Sequence, residues 1–146
     1  MFRLGFSVSG SAAIIFVGIF LAFSTAYTAS ANGFERVNDA RSAVDDEALE
    51  RQNTAITIIN ATYDADAGTL SVNVTNEGAS ELSVGAVDLL VDNTYRANFT
   101  ARSVAGDSTT DLWLPGEQLH LEVSVSSQPT RVKVVSGPGV ADVEVL

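Results

Sequence analysis

Cysteine is absent from this 146-residue chain, lysine occurs once, at Lys133, and histidine once, at His120. Without cysteine, an exported domain has no disulfide and must rest on its hydrophobic core. A single histidine with no cysteine leaves no zinc-ligand set. Basic residues are scarce: 8 Lys and Arg stand against 18 Asp and Glu, a formal charge of −10. All the acids follow residue 34, and without Arg3 that part carries 7 − 18 = −11. Such a balance excludes nucleic acid and an anionic lipid surface as partners, since both require a basic face. An acidic, lysine-poor exterior stays hydrated where salt screens surface attraction within a few ångströms, so the composition points to a saline habitat.

Charge is also missing between Arg3 and Glu35. Within that interval Ala12 to Tyr27 (AAIIFVGIFLAFSTAY) is almost continuously apolar. A bilayer core needs about 20 helical residues, so residues 1–33 read as a membrane helix, with Ala12, Ile14, Ile15, Phe16, Val17, Phe20, Leu21 and Phe23 facing lipid. Ser24, Thr25 and Thr28 can return their hydroxyls to the helix backbone. A removed signal peptide is the alternative, since Ala29-Ser30-Ala31 fits a cleavage site, but the apolar run exceeds a usual h-region. The short amino-terminal tail and Arg3 place the amino end inside and the remainder outside, although Arg36 and Arg41 weaken the rule.

Residues 34–52 (FERVNDARSAVDDEALERQ) contain no proline and place Phe34, Val37, Arg41, Val44 and Ala48 at alternating spacings of three and four. This predicts a solvated helical stalk, with Gly33 as a possible kink; a coiled-coil seam is the alternative. A continuous helix from Ser9 to Gln52 would be roughly 65 Å long.

From Asn53 the hydrophobic period becomes two, and turn signals recur every 8–12 positions. Leu70, Val72 and Val74 alternate with Ser71, Asn73 and Thr75, and Leu119, Leu121 and Val123 with His120, Glu122 and Ser124. Leu82 and Val84 are out of phase with Val87, Leu89 and Val91, so Gly85 marks a bulge or a break between two short strands. Pro115-Gly116 and Gly137-Pro138-Gly139 are turns. Residues 53–146 thus predict seven or eight antiparallel strands. The chain is mainly β: a transmembrane helix and stalk followed by an immunoglobulin-like β-sandwich.

The stretch Gly5-Phe-Ser-Val-Ser-Gly-Ser-Ala-Ala-Ile-Ile-Phe-Val-Gly18, then Asn32-Gly-Phe-Glu-Arg-Val-Asn-Asp-Ala-Arg41, the acidic stalk and Asn53-Thr-Ala-Ile56 entering the sandwich resemble the haloarchaeal FlaF (ArlF) family of archaellum accessory proteins. The resemblance implies a membrane-anchored, non-enzymatic stator component of the archaeal flagellum. Its sandwich would lie beneath the surface layer and bind the surface-layer glycoprotein, with FlaG as a sister protein and no cofactor. A homodimer is a further alternative. Archaellins, by contrast, carry a basic-Gly processing site before their hydrophobic helix. Here Leu4 separates Arg3 from Gly5, and no Glu stands five residues beyond Gly5.

Sites of chemistry are few. His120 shares its face with Glu122 and Ser124 and should point to solvent, with no nucleophile arrangement around it. Asp64 and Asp66 flank a turn without the glycine and terminal Glu of an EF-hand loop. Trp113 is either a core or rim anchor or a binding hot spot. Sequons occur at Asn60, Asn73 and Asn98, each expected in a strand, with Asn73 outward. The last strand, Val140 to Leu146, is expected to alternate Asp142 and Glu144 outward with Val143 and Val145 inward, and its open edge is a candidate partner contact. Three functions remain in play: a membrane-anchored structural adaptor, a processed archaellin- or pilin-like filament subunit, and a tethered extracellular enzyme or binding module.

Overall fold

The computed structural model describes residues 4–146 and divides into two compact units, Met1–Asp45 and Asp46–Leu146. Arg3, on which the expected orientation leans, lies outside the described residues. Helix α1 spans Leu4–Asn53. With no proline in its 50 residues, nothing removes a backbone donor, and it continues through Gly33 to one residue beyond the expected stalk. Among the described residues of the first unit α1 is the one element, and its described side chains are exposed, Ile14, Phe16, Phe20 and Phe23 among them.

The second unit holds the last two turns of α1 and ten strands: β1 (Ile56–Asp64), β2 (Thr69–Asn76), β3 (Leu82–Ser83), β4 (Asp88–Val91), β5 (Thr94–Arg96), β6 (Phe99–Val104), β7 (Leu112–Trp113), β8 (Gln118–Ser124), β9 (Arg131–Val135) and β10 (Ala141–Val145). One four-stranded sheet has the order β1-β2-β8-β6, the other β10-β9-β4-β5, and β3 pairs with β7. All the pairings are antiparallel. Period-two alternation explains the core: Leu70, Val72, Val74, Leu119, Leu121 and Val123 from the first sheet face Leu89, Val91, Val132 and Val134 from the second, all buried.

The phase change at Gly85 is a change of sheet. Leu82–Ser83 belongs to the small β3-β7 pair, a 3-10 turn (Val84–Ala86) follows, and Asp88–Val91 joins the second sheet. The β4–β5 hairpin closes through Asp92 and Asn93, both at positive φ, which Asp and Asn tolerate better than other side chains.

The last strand corrects the expected phase. Val143 and Val145 face outward, 44% and 71% exposed, while Asp142 is half-buried. The cause lies on the neighbouring edge strand. β1 shifts register between Ile58 and Asn60, and the Ile58 N–H is directed away from β2. Asp142 Oδ2 accepts that N–H at 2.7 Å, and its Oδ1 accepts the Val143 N–H at 2.9 Å. A buried backbone donor needs an acceptor, and this requirement turns the carboxylate in and the valines out.

Candidate functional site

The apolar helix is long and apolar enough to cross a membrane. Its few hydroxyls are satisfied locally: Ser24 Oγ donates to Phe20 O, Thr25 Oγ1 to Ala22 O and Thr28 Oγ1 to Ser24 O, each at 2.9 Å. Ala12, Ile14, Ile15, Phe16, Val17, Phe20, Leu21 and Phe23 present an exposed apolar surface with no polar group left open at these hydroxyls.

The carboxyl end of α1 is built into the sandwich unit. The turn after β2 wraps it: Glu77 and Gly78 N–H donate to Ala55 O at 2.8 and 3.0 Å, and Ala79 and Ser80 N–H donate to Asn53 O at 2.8 and 3.2 Å. Gly78 sits so close that a Cβ would lie 2.5 Å from Asn53 O and 2.6 Å from Ala55 N. From the β9–β10 loop Pro138 O accepts Arg51 Nε–H at 3.0 Å, while Arg51 Nη2 pairs with Glu47 at 2.6 Å. Thr54 Oγ1 donates to Glu50 O at 2.7 Å and satisfies a carbonyl that the helix end leaves open. Sequence reasoning missed this joint, because the residues it brings together, Arg51, Asn53, Gly78 and Pro138, come from separate segments of the chain.

Trp113 is 0% exposed, its Nε1–H donating to Glu117 O at 2.9 Å. It is a core anchor, and the hot-spot alternative fails because the ring is enclosed. Beside it, the fully buried Asn76 donates to Ser80 O and Trp113 O and accepts the Gly78 N–H, tying the core to the helix-holding turn. The candidate contact at Asp142 is also recast, since its carboxylate is occupied by Ile58 and Val143 N–H; Glu144 is exposed.

His120 is half-buried, not free in solvent: its Nδ1–H donates to Asn73 Oδ1 at 2.9 Å and its Nε2 lies 3.8 Å from Glu122. Asn73 is half-buried on the central strand β2, as are Ser71 and Thr75 on the same face. Asn60 is exposed on β1 and accepts Thr62 Oγ1–H at 3.1 Å. Asn98 is exposed in the loop between β5 and β6, outside any strand, because β5 ends at Arg96. Asp64 Oδ1 accepts the N–H groups of Asp66 and Ala67, so it braces its own turn. Among the described residues no group of three or more His, Asp or Glu could hold a metal ion.

Three loop carboxylates are held below the ordinary aspartate range by donors. Asp111 accepts Ser83 Oγ–H and Gly85 N–H, Asp92 accepts chiefly the Thr130 N–H, and Asp107 accepts chiefly the Thr109 hydroxyl. Each bridges or closes a connection between strands, which is structural work.

The described chain is thus a helix long and apolar enough to cross a membrane followed by an antiparallel sandwich. The archaeal-type flagellin family model matches residues 5–144, and the chain belongs to that family. It is therefore a structural protein of the archaellum class. Among solved structures it is similar to the archaellum periplasmic stator protein FlaG from Sulfolobus acidocaldarius, at 17% identity and a TM-score of 0.47, over 64% of this chain and 99% of that one. It is also similar to the archaellum periplasmic stator protein complex of FlaF and FlaG from the same organism, at 16% identity and a TM-score of 0.44, over 62% and 87%. No curated protein matches.

Proposed function

We propose that this chain is a membrane-retained, non-enzymatic component of the stationary part of the archaellum motor. Its helix stays in the cytoplasmic membrane with the amino end inside, and its sandwich stands outside, beneath the surface layer. There it binds the surface-layer glycoprotein, with FlaG as sister protein, so that a rotor turning in a fluid bilayer has something fixed to push against. The observation that carries the retained helix is the sequence Arg3-Leu4-Gly5, which lacks the adjacent basic-Gly pair of a processed filament subunit, with Gly10 rather than Glu five residues on. A sandwich that incorporates the carboxyl end of α1 through backbone hydrogen bonds and Arg51 supports a load-bearing role. The acidic composition suits a saline exterior.

Family membership itself favours a second reading, a filament subunit whose helix leaves the membrane for the fibre core. Binding separates them. Full-length protein in detergent at molar salt should retain purified surface-layer glycoprotein, whereas a chain ending near residue 52 should not. Retention by the truncated chain, or by neither, contradicts the proposal.

A further inference from the structure

Arg96 is a half-buried cation without a partner. It ends β5 and stands directly opposite Leu89, which is fully buried. Directly paired residues in antiparallel strands share a face, so the Arg96 side chain starts on the core side of its sheet. Among the described residues its guanidinium makes no hydrogen bond and no ion pair, and its Nε is closed off from solvent without an acceptor. A buried donor on a charged group is costly to leave unsatisfied, and it calls for a group that completes it.

The acids of neighbouring segments do not supply that group. Asp88 precedes the inward Leu89 on β4 and so lies on the outer face of the sheet. The Asp92 carboxylate accepts three donors from Thr130 and Arg131, and Glu122 lies 3.8 Å from His120. Arg102, on the β6 edge of the other sheet, is by contrast accounted for. Its guanidinium carbon lies 5.6 Å from the Phe99 ring centroid, its Nη1 donates to Val84 O at 3.5 Å, and its charge acts on Asp111. Arg96 borders a cleft of about 440 Å³ where the chain crosses from β5 to β6, lined also by Tyr95, Asn98, Phe99, Thr100 and Ser124. Small-molecule sites run from about 300 to 1,000 Å³, so the cleft suits one small unit and not a folded partner. Its lining offers an amide, an exposed tyrosine ring and two hydroxyls, Thr100 Oγ1 and Ser124 Oγ, 3.4 Å apart, with no carboxylate and one charge.

We propose that the cleft between β5 and β6 binds a singly charged acidic saccharide unit of the uronic acid class. Its carboxylate spans the Nε–H and an adjacent Nη–H of Arg96, a planar fork that fits a planar carboxylate. Its hydroxyls meet Asn98, Thr100 and Ser124, and its ring lies against Tyr95. The charge sets the class: one guanidinium in a chain of charge −10 balances one negative charge, whereas a phosphate dianion or a second copy of the acidic chain adds repulsion. The inference does not depend on the proposed function.

The test uses the full chain in mild detergent, with sodium glucuronate exchanged for sodium chloride at constant ionic strength. Asn98 and Thr100 also form a sequon, so intact mass first confirms that Asn98 is unmodified. The Arg96 Nε–H resonance, followed by nitrogen-15 NMR, should move saturably with glucuronate. Glucose, which lacks the carboxylate, and acetate, which lacks the hydroxyls, should each bind about tenfold more weakly or worse. By calorimetry, Arg96→Gln should lose the binding heat, and Lys133→Gln, a cation outside the cleft, should keep it. Trp113 fluorescence checks that both variants are folded. No shift at Arg96, which would leave its Nε to an ordered water, overturns the proposal. So does equal binding by acetate, which would make the site one for any carboxylate, or by glucose, which would remove the contact with Arg96. Undiminished binding by folded Arg96→Gln overturns it as well. Self-association of the parent in sedimentation, lost in Arg96→Gln, would give the cleft to a second copy and also overturn it.

Discussion

Replacing Gly78 with alanine tests the joint between α1 and the sandwich. Gly78 does not have a positive φ, so the backbone itself accepts alanine. Elsewhere, such a change would stabilise a protein by about 0.4–1 kcal/mol through the unfolded chain. Here the new methyl meets backbone on two sides, 2.5 Å from Asn53 O and 2.6 Å from Ala55 N, and neither can rotate away. Relief requires the Glu77–Ser80 turn to retreat, stretching its four hydrogen bonds to Asn53 and Ala55. Losing two of them costs about 1–3 kcal/mol, at roughly 0.5–1.5 kcal/mol each. Overpacking of this kind costs a similar 1–3 kcal/mol, so the net is a destabilisation of about 1–3 kcal/mol. The single, fully buried Trp113 reports unfolding through its fluorescence. Guanidinium titration of the full chain in detergent at constant ionic strength should show an earlier midpoint with an unchanged slope. A midpoint equal to or later than the parent's would show that the turn does not hold the helix end.

Three further outcomes follow from the same geometry. Trp113→Ala should destabilise the sandwich by about 3–5 kcal/mol, as expected for emptying a large buried site; a loss under 1 kcal/mol by circular dichroism would contradict its place in the core. Asp142→Ala leaves the Ile58 N–H without its acceptor and should cost about 1–3 kcal/mol, with faster amide exchange at Ile58; unchanged exchange would refute the seal between β1 and β10. Asp111 is depressed when folded, so its contribution is complete above the unfolded value near pH 4 and is lost as pH falls through the lower folded value. Asp111→Asn should therefore flatten the acid limb of the stability profile, and a limb of unchanged steepness would refute this.

Strands with clean alternation, such as Leu70-Ser-Val-Asn-Val74 and Leu119-His-Leu-Glu-Val123, were legible because one face is buried and the other wet. The phase of β10 was not. Val143 and Val145 alternate with acids equally well in either phase, and the choice was made by a backbone N–H on β1, remote in sequence. The two-residue strands β3 and β7 carry too few residues for any period, which is why only their by-product, the shift at Gly85, could be read. Trp113 was readable as an anchor but its enclosure was not. The helix needed no tertiary information: an apolar run to Gly33 and a proline-free stretch rich in Glu, Arg and Ala after it determine it locally.

The most direct measurement of the central claim is mass spectrometry of the amino terminus of the mature protein, taken in parallel from washed membranes and from sheared filaments. A retained stationary component predicts membrane-bound protein whose amino-terminal peptide still contains Arg3-Leu4-Gly5. Protein recovered chiefly in filaments, with its amino terminus at Phe6, would contradict the account and establish the filament reading.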